Sequence, residues 1–295
     1  QVGIDAWLVL VRTRRLGDLD PSPASLAAFD HAIAYVPTRK LYLDPTAEFA
    51  GPKELPAQDQ GVVALHIAPT GAELRRTPVH PAARNLSVLE QTLRVGPGGQ
   101  LKLTEHRTVR GQSARRWRQR YQSADHRRAR FEKAWNQTVG EARVLRVRMP
   151  GLADLGRPVR IEAELSIEGL LRADAHGRWS APMTIEEPEL VRALGTLSRR
   201  RHPLVLRFPW QIEERSVWRL PAGWRVHHVA RDHDIRSPHG RYRRVARRRD
   251  DGSLLVQQQL ALTTARVAPR HYPAFRAFLE RVDRACAERM TIGPR

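Results

Sequence analysis

The stretch Phe29-Asp30-His31-Ala32-Ile33-Ala34-Tyr35-Val36, with Leu41-Tyr42-Leu43-Asp44-Pro45-Thr46 behind it, reads as two short apolar strands around a turn. A turn at Pro37-Thr38 sets Val36 opposite Arg39 and His31 opposite Asp44, with Cβ atoms about 5 Å apart. Ile33 and Tyr42 then share the face of His31, while Ala32, Ala34, Leu41 and Leu43 cover the other. A carboxylate beside an imidazole fixes its tautomer and stabilises the imidazolium, as a base serving a thiol or hydroxyl nucleophile requires. Taken by itself, the same pair also fits a buried structural hydrogen bond.

With their flanks, these residues resemble the bacterial transglutaminase-like superfamily, whose papain-like core carries a Cys-His-Asp triad. The similarity is carried by the strand Gly3-Ile4-Asp5-Ala6-Trp7-Leu8-Val9-Leu10-Val11-Arg12-Thr13, by the His31 strand, and by Leu43-Asp44-Pro45-Thr46-Ala47. Leu55-Pro56-Ala57-Gln58-Asp59-Gln60-Gly61 is similar to the segment closing this core where large β domains flank it. The resemblance implies His31 as general base and Asp44 as its orienting carboxylate. It also implies a nucleophilic cysteine opening a helix ahead of the Gly-Ile strand. The chain starts at Gln1, directly before that strand, and no cysteine occurs before Cys286. The expectation is therefore a C-terminal fragment holding the later half of such a core, inactive alone for lack of the nucleophile. For the intact parent, the resemblance implies thiol-dependent acyl transfer or amide hydrolysis on a protein or peptide substrate, peptidase- or amidase-like, with no cofactor. Gln58 or Gln60 would serve as an oxyanion donor only where the fold brings it near the thiol.

Cys286 is expected to pack rather than react. Phe275, Phe278, Leu279, Val282, Cys286 and Met290 fall at three- and four-residue steps on one face of a terminal helix over residues 270–290. A thiol on that stripe points into a core and ionises poorly.

At 295 residues with 41% hydrophobic content, the chain is long enough for two regions with cores of their own. No run of about 18 apolar residues exists, so no membrane-spanning helix is expected. One cysteine permits no internal disulfide. Charge is uneven: residues 1–68 hold 6 Lys+Arg against 8 Asp+Glu, a balance of −2, while the remainder holds 45 against 23, a balance of +22. Of the 51 basic residues, 4 are lysine, so the excess is almost all guanidinium.

Prolines and a glycine interrupt the apolar pattern between Pro69 and Pro81. Beyond them, Leu86–Val95 and Leu101–Val109 alternate around Gly96-Pro97-Gly98-Gly99, a hairpin pattern, and strand-like alternation recurs to Ala265. One helix is expected over Ser113–Val139 and a short one over Pro188–Leu197. The expected fold is α+β, mainly β. Half of a papain-like core of antiparallel strands occupies 1–68, a linker 69–84, and a large basic antiparallel β-sandwich with a few helices 85–295. The segment Arg266–Leu279 is similar to the closing helix of the β domains attached to transglutaminase-like cores.

His227, His228, Asp232, His233, Asp234 and His239 offer metal-binding residue types without ligand spacing. They read as a solvated loop, and no metal site is expected. Arginine-rich runs such as Arg115-Arg116-Trp117-Arg118 and Arg241-Tyr242-Arg243-Arg244 come without a nucleic-acid-binding motif, so nucleic acid is not an expected partner. On the Ser113–Val139 helix the aromatics form the buried stripe. The half core should leave apolar strand faces and an edge open, to be covered by a second copy, by the sandwich or by the missing N-terminal part. A bacterial periplasmic or envelope setting accompanies the resemblance. A non-catalytic scaffold, whose basic sandwich docks on a partner chain or an anionic envelope surface, is the alternative from a different class.

Overall fold

The computed structural model describes residues 3–20, 22 and 24–294. Residues 1 and 2, where the first expected region begins, and residue 295, where the last ends, lie outside the described residues. The fold is mostly β, with several antiparallel sheets and few helices.

The first sheet contains β1 (Trp7–Val11), β2 (His31–Val36), β3 (Leu41–Leu43), β4 (Val63–Ala68) and β5 (Gly71–Arg76), in the order β3-β2-β1-β4-β5. The β2–β3 register differs from the expected one. Val36 pairs with Leu41, not Arg39, and Tyr35 with Tyr42. Proline explains the shift, because the favoured two-residue hairpin turns need positive φ where Pro37 is fixed near −65°. The chain instead makes a short 3₁₀ turn over Pro37–Arg39 and closes it with Lys40 at φ 48°. Moving the register by two residues keeps every side chain on its face, so His31 and Asp44 stay together as diagonal neighbours. Residues 71–76, assigned to a linker from sequence, form an edge strand that pairs along its whole length with β4.

One face of this sheet buries Val9, Val11, Ile33 and Ala64 against Leu55 and Val62. On the other, Leu8, Ile67 and Leu74 are exposed.

The large sheet begins with β6 (Leu86–Val95) and β7 (Leu101–Val109). Two helices follow, α1 (Gly111–Tyr121) and α2 (Arg127–Val139), then β8 (Glu141–Arg148) and β9 (Val159–Glu168). Next come β10 (Arg172–Ala173), β11 (Trp179–Pro182), α3 (Leu190–Leu194) and β12 (Leu204–Val205). The remaining elements are β13 (Trp210–Arg219), β14 (Trp224–His228), β15 (His233–Ser237), β16 (Gly240–Arg248), β17 (Leu254–Leu262), β18 (Arg266–Val267), α4 (Tyr272–Cys286) and β19 (Arg289–Pro294). Eight strands order as β15-β16-β17-β13-β6-β7-β9-β8, and a four-stranded sheet, β10-β11-β19-β14, packs against them. The large sheet is not wholly antiparallel: β13 and β6 run parallel at its centre, joining two antiparallel halves.

The single helix expected over Ser113–Val139 is two. Gln122 to His126 contains Ser123 and Asp125, whose side chains compete for backbone hydrogen bonds, and α2 folds back on α1. Tyr121 and Phe131 meet at 6.2 Å between ring centroids. The Arg127 Nε donates to the Tyr121 carbonyl and an Arg130 guanidinium to the Arg120 carbonyl, satisfying groups the helix end leaves open. The terminal helix stops at Cys286. Met290 belongs to β19 and to the core beneath the four-stranded sheet, not to the α4 stripe.

At the turn between β6 and β7, Gly99 has φ +79°, and a Cβ there would lie 2.2 Å from the Trp179 ring, which stacks on Trp224. Gly169, at φ +71°, has open space around it. Gly169→Ala should therefore cost only the left-handed backbone term, about 1–2 kcal/mol, and Gly99→Ala a further 1–3 kcal/mol from overpacking. Thermal or urea unfolding of the two variants reads the difference, and equal losses would refute the tight Gly99–Trp179 contact.

Candidate functional site

Three side chains converge at the margin of the first sheet. His31 opens β2 opposite Val11, Asp44 follows β3, and Asp59 ends a 3₁₀ turn over Ala57–Asp59. One donor atom from each lies within 4.8 Å of the others. His31 Nε2 sits 3.2 Å from Asp44 Oδ1, without the alignment of a good hydrogen bond. Asp44 is held by its own turn: Oδ1 accepts from the Thr46 amide at 2.9 Å and from its hydroxyl at 2.7 Å. Burial pulls the Asp44 carboxyl upward, but the Thr46 bonds and His31 outweigh it and leave the pKa below the ordinary value.

Asp59 was not anticipated from sequence. It is fully buried, and neither carboxylate oxygen has a hydrogen-bond partner. Burial first, and the negative charge of Asp44 second, push its pKa up to about 7, against the opposing charge of His31. The turn that carries it is fixed from several sides. Thr77 Oγ1 donates to the Asp59 carbonyl at 2.5 Å, and Arg14 Nε donates to the Gln60 carbonyl at 2.6 Å. Gln112, from the first turn of α1, accepts from the Ala57 amide at 3.1 Å and donates to the Leu55 carbonyl at 3.0 Å. Gln60 is likewise committed: its amide nitrogen donates to the Leu55 carbonyl at 2.6 Å, and its oxygen accepts from the His80 amide at 2.9 Å. That leaves the Gln60 side chain no freedom to bind an oxyanion. Gln58 is half-buried beside it.

The same face of the sheet carries an aromatic cluster. Tyr35 and Tyr42 meet in a tilted contact at 4.7 Å between ring centroids, and the Tyr42 hydroxyl reaches His66 Nε2 at 3.1 Å across β2 and β1. Burial, then Arg75, lower the pKa of His66. Cys286 is elsewhere, in the core under α4, where burial raises the thiol to about 12. Of the polar cluster at 227–239, Asp232 pairs with Arg247, His233 with Glu288 and Asp234 with Arg236 and Arg241, so both aspartates and His233 are spent on separate ion pairs.

Chemically, the three groups offer one imidazole, one carboxylate kept ionised and one buried carboxyl poised to hold a proton near neutrality. The profile of a family described as a domain of unknown function, DUF3858, matches residues 182–292, which run from the last residue of β11 into β19 and exclude these three residues. No curated protein matches the chain. Among solved structures, the chain is similar to a provisionally assigned protease from Parabacteroides distasonis, at 13% identity and a TM-score of 0.49 over 99% of this chain. The match covers 40% of that protein's length.

Asp59 has a testable signature in stability. Its folded pKa of about 7 lies above an unfolded value of about 3.9, so the folded state binds more protons between the two. Stability from this group is full below about pH 4 and is lost as pH rises to 7, by on the order of 4 kcal/mol. Asp44, with its lowered pKa, acts in the opposite sense below about pH 4. Relative to wild type, Asp59→Asn should gain stability from pH 4 to 8 in chelator-treated buffer, measured by urea unfolding. A constant difference across that range would mean that Asp59 is not held protonated.

Proposed function

We propose that His31 and Asp44 are the base and the orienting carboxylate of a thiol-dependent centre that cleaves or transfers amide-linked acyl groups, in the manner of transglutaminase-like peptidases and amidases. The observation that supports this most is the 3.2 Å approach of His31 Nε2 to an Asp44 side chain already oriented by Thr46. With the Nε2 proton facing Asp44, Nδ1 is the free acceptor. Cys286, the one cysteine of the 295 residues, is buried in a different core, so this reading takes its nucleophile from polypeptide beyond them.

The thiol proton passes to His31 Nδ1, and the thiolate adds to the amide carbonyl. The C–N bond breaks, the leaving amine takes the proton from Nδ1, and a thioester remains. Water or an amine then attacks the thioester, giving its proton to Nδ1, and the thiolate leaves. Asp44 stabilises the imidazolium at each stage. Residues 7–76 supply this half of the centre, and the β-rich remainder serves as the region that supports it.

In the native-length gene product, an iodoacetamide probe at neutral pH should label a cysteine other than Cys286, with labelling slowed at least ten-fold in His31→Ala. Labelling that ignores His31, or that finds no second cysteine, would remove the catalytic assignment.

A scaffold role has one observation in its favour. Arg116, Arg120 and Arg207 share with Glu186, Glu187 and Glu189 a cleft of about 1230 Å³ between α1, α2 and the segment before α3, and among the described residues none of the three arginines forms an ion pair with a carboxylate. Burial, then the charges of Arg207 and Arg120, depress the Arg116 pKa. Such a cluster suits an anionic surface. Binding to vesicles rich in anionic lipid should occur at low salt, fall steeply as salt rises, and weaken in an Arg116→Ala/Arg207→Ala variant. Retention unaffected by salt or by that variant would exclude it.

A further inference from the structure

Asp59 presents an imbalance that the thiol chemistry does not use. Both of its oxygens are bare in a fully buried position, and His31 Nε2 nearby also lacks a hydrogen-bond partner. A carboxylate stripped of water and given nothing in return is costly, and it is stabilised by either a proton or a cation. A proton satisfies one oxygen of one carboxyl. A divalent ion accepts electron pairs from all three groups together, and two carboxylates with a neutral imidazole cancel its charge.

We propose that His31, Asp44 and Asp59 form a binding site for a divalent transition-metal ion of the zinc class, with His31 Nε2 and one oxygen from each aspartate as ligands.

Geometry and donor type both point this way. The three donor atoms lie within 4.8 Å of one another. The 3.2 Å separation of His31 Nε2 and Asp44 Oδ1 is close to the roughly 3.3 Å edge of a tetrahedron with metal–ligand bonds of about 2.0–2.1 Å. One nitrogen with two carboxylate oxygens suits zinc and its first-row neighbours better than calcium or magnesium, which favour all-oxygen shells. Thr46, donating twice to Asp44, is the kind of outer support that fixes a ligating carboxylate. The turn bearing Asp59 is anchored through Thr77, Gln112 and Arg14, which holds its ligand beside the other two. Three protein ligands leave a fourth position for water.

An ion on Nε2 leaves the imidazole proton on Nδ1, which then cannot accept one from a thiol. Metal binding would switch the base off. Only this last consequence rests on the thiol chemistry proposed above; uptake of the ion does not.

The test uses the chain itself, stripped with chelator and titrated with zinc alone by isothermal calorimetry at pH 7. Wild type should take up one ion per chain at this site, with a rise in melting temperature. His31→Ala and Asp59→Asn should each lose at least ten-fold in affinity while unfolding cooperatively in chelator. His31 lies at the sheet margin with a partly exposed side chain, so its variant keeps the test valid if Asp59→Asn fails to fold. No zinc uptake by wild type would overturn the proposal, leaving a carboxyl pair that shares a proton. Uptake undiminished in both variants would overturn it too, by placing the ion at other histidines. Because the calorimetry involves no thiol, its outcome is independent of the labelling experiment.

Discussion

A row of buried polar side chains across the large sheet is the constraint on which most of the molecule depends. On one face, Arg244, Gln258, Glu214, Ser216, Gln91 and Glu105 follow one another from β16 to β7. Ser216 donates its one hydroxyl proton to Glu214 at 2.7 Å and lies 3.2 Å from the Gln91 side-chain oxygen, and Gln258 donates to Glu214 at 2.5 Å. At one end Arg244 pairs with Glu288; at the other Arg107 bridges towards Glu105 and Glu186. Leu93, Leu103 and Trp218 lie on one side of the row, beneath the four-stranded sheet and the α1–α2 hairpin. Tyr242, Leu260 and Leu262 lie on the other, beneath α4. The row thus divides one continuous sheet face into two apolar cores. A slip of β13 against β6 would strand these groups in the interior, where an unpaired charge costs several kcal/mol. The parallel pairing at the centre has its register fixed by that penalty. Burial nevertheless raises Glu214 to about 7 despite its Ser216 and Gln258 bonds, so the row is held together by bonds that only partly offset its desolvation.

The arginine excess takes on a structural sense here. Guanidinium groups of Arg12, Arg14, Arg118, Arg127, Arg128 and Arg289 donate to backbone carbonyls of loops, helix ends and strands. A planar group with five donors suits this use better than an ammonium does. Part of the charge that suggests an acidic partner in the sequence is therefore engaged in holding the backbone in place.

What the sequence disclosed follows the range of the interactions involved. Alternation is local, so β2, β3, β6 and β7 were legible, and so was the common face of His31 and Asp44. The register of β2 against β3 was open to a different reading from Pro37 alone, whose fixed φ excludes the shorter turn. The split of α1 from α2 falls at Ser123 and Asp125, which the regular aromatic spacing masked, and the fold-back brings Tyr121 to Phe131 in a tertiary contact that helical periodicity does not register. The parallel β6–β13 pair joins residues more than a hundred positions apart, and no short-range pattern announces it. Asp59 is the instructive omission. Pro56-Ala57-Gln58-Asp59-Gln60 has the composition of a solvated turn, and what buries it is a set of bonds from Arg14, Thr77 and Gln112. Neighbouring residues carry no trace of those partners.

The tie between Gln112 and the segment Leu55–Ala57 means that the chemistry at Asp59 is not portable. Gln112 is itself seated by its amide on Asn85, which donates to the carbonyl of Pro209. A graft of the first sheet alone onto another scaffold would carry His31 and Asp44 intact. It would leave the Ala57 amide without its acceptor and the Leu55 carbonyl with Gln60 alone, and open the Asp59 turn to water. The carboxyl would then behave as an ordinary acid. A recombination of this β-rich support with a foreign one would preserve the histidine–aspartate pair and lose its third member.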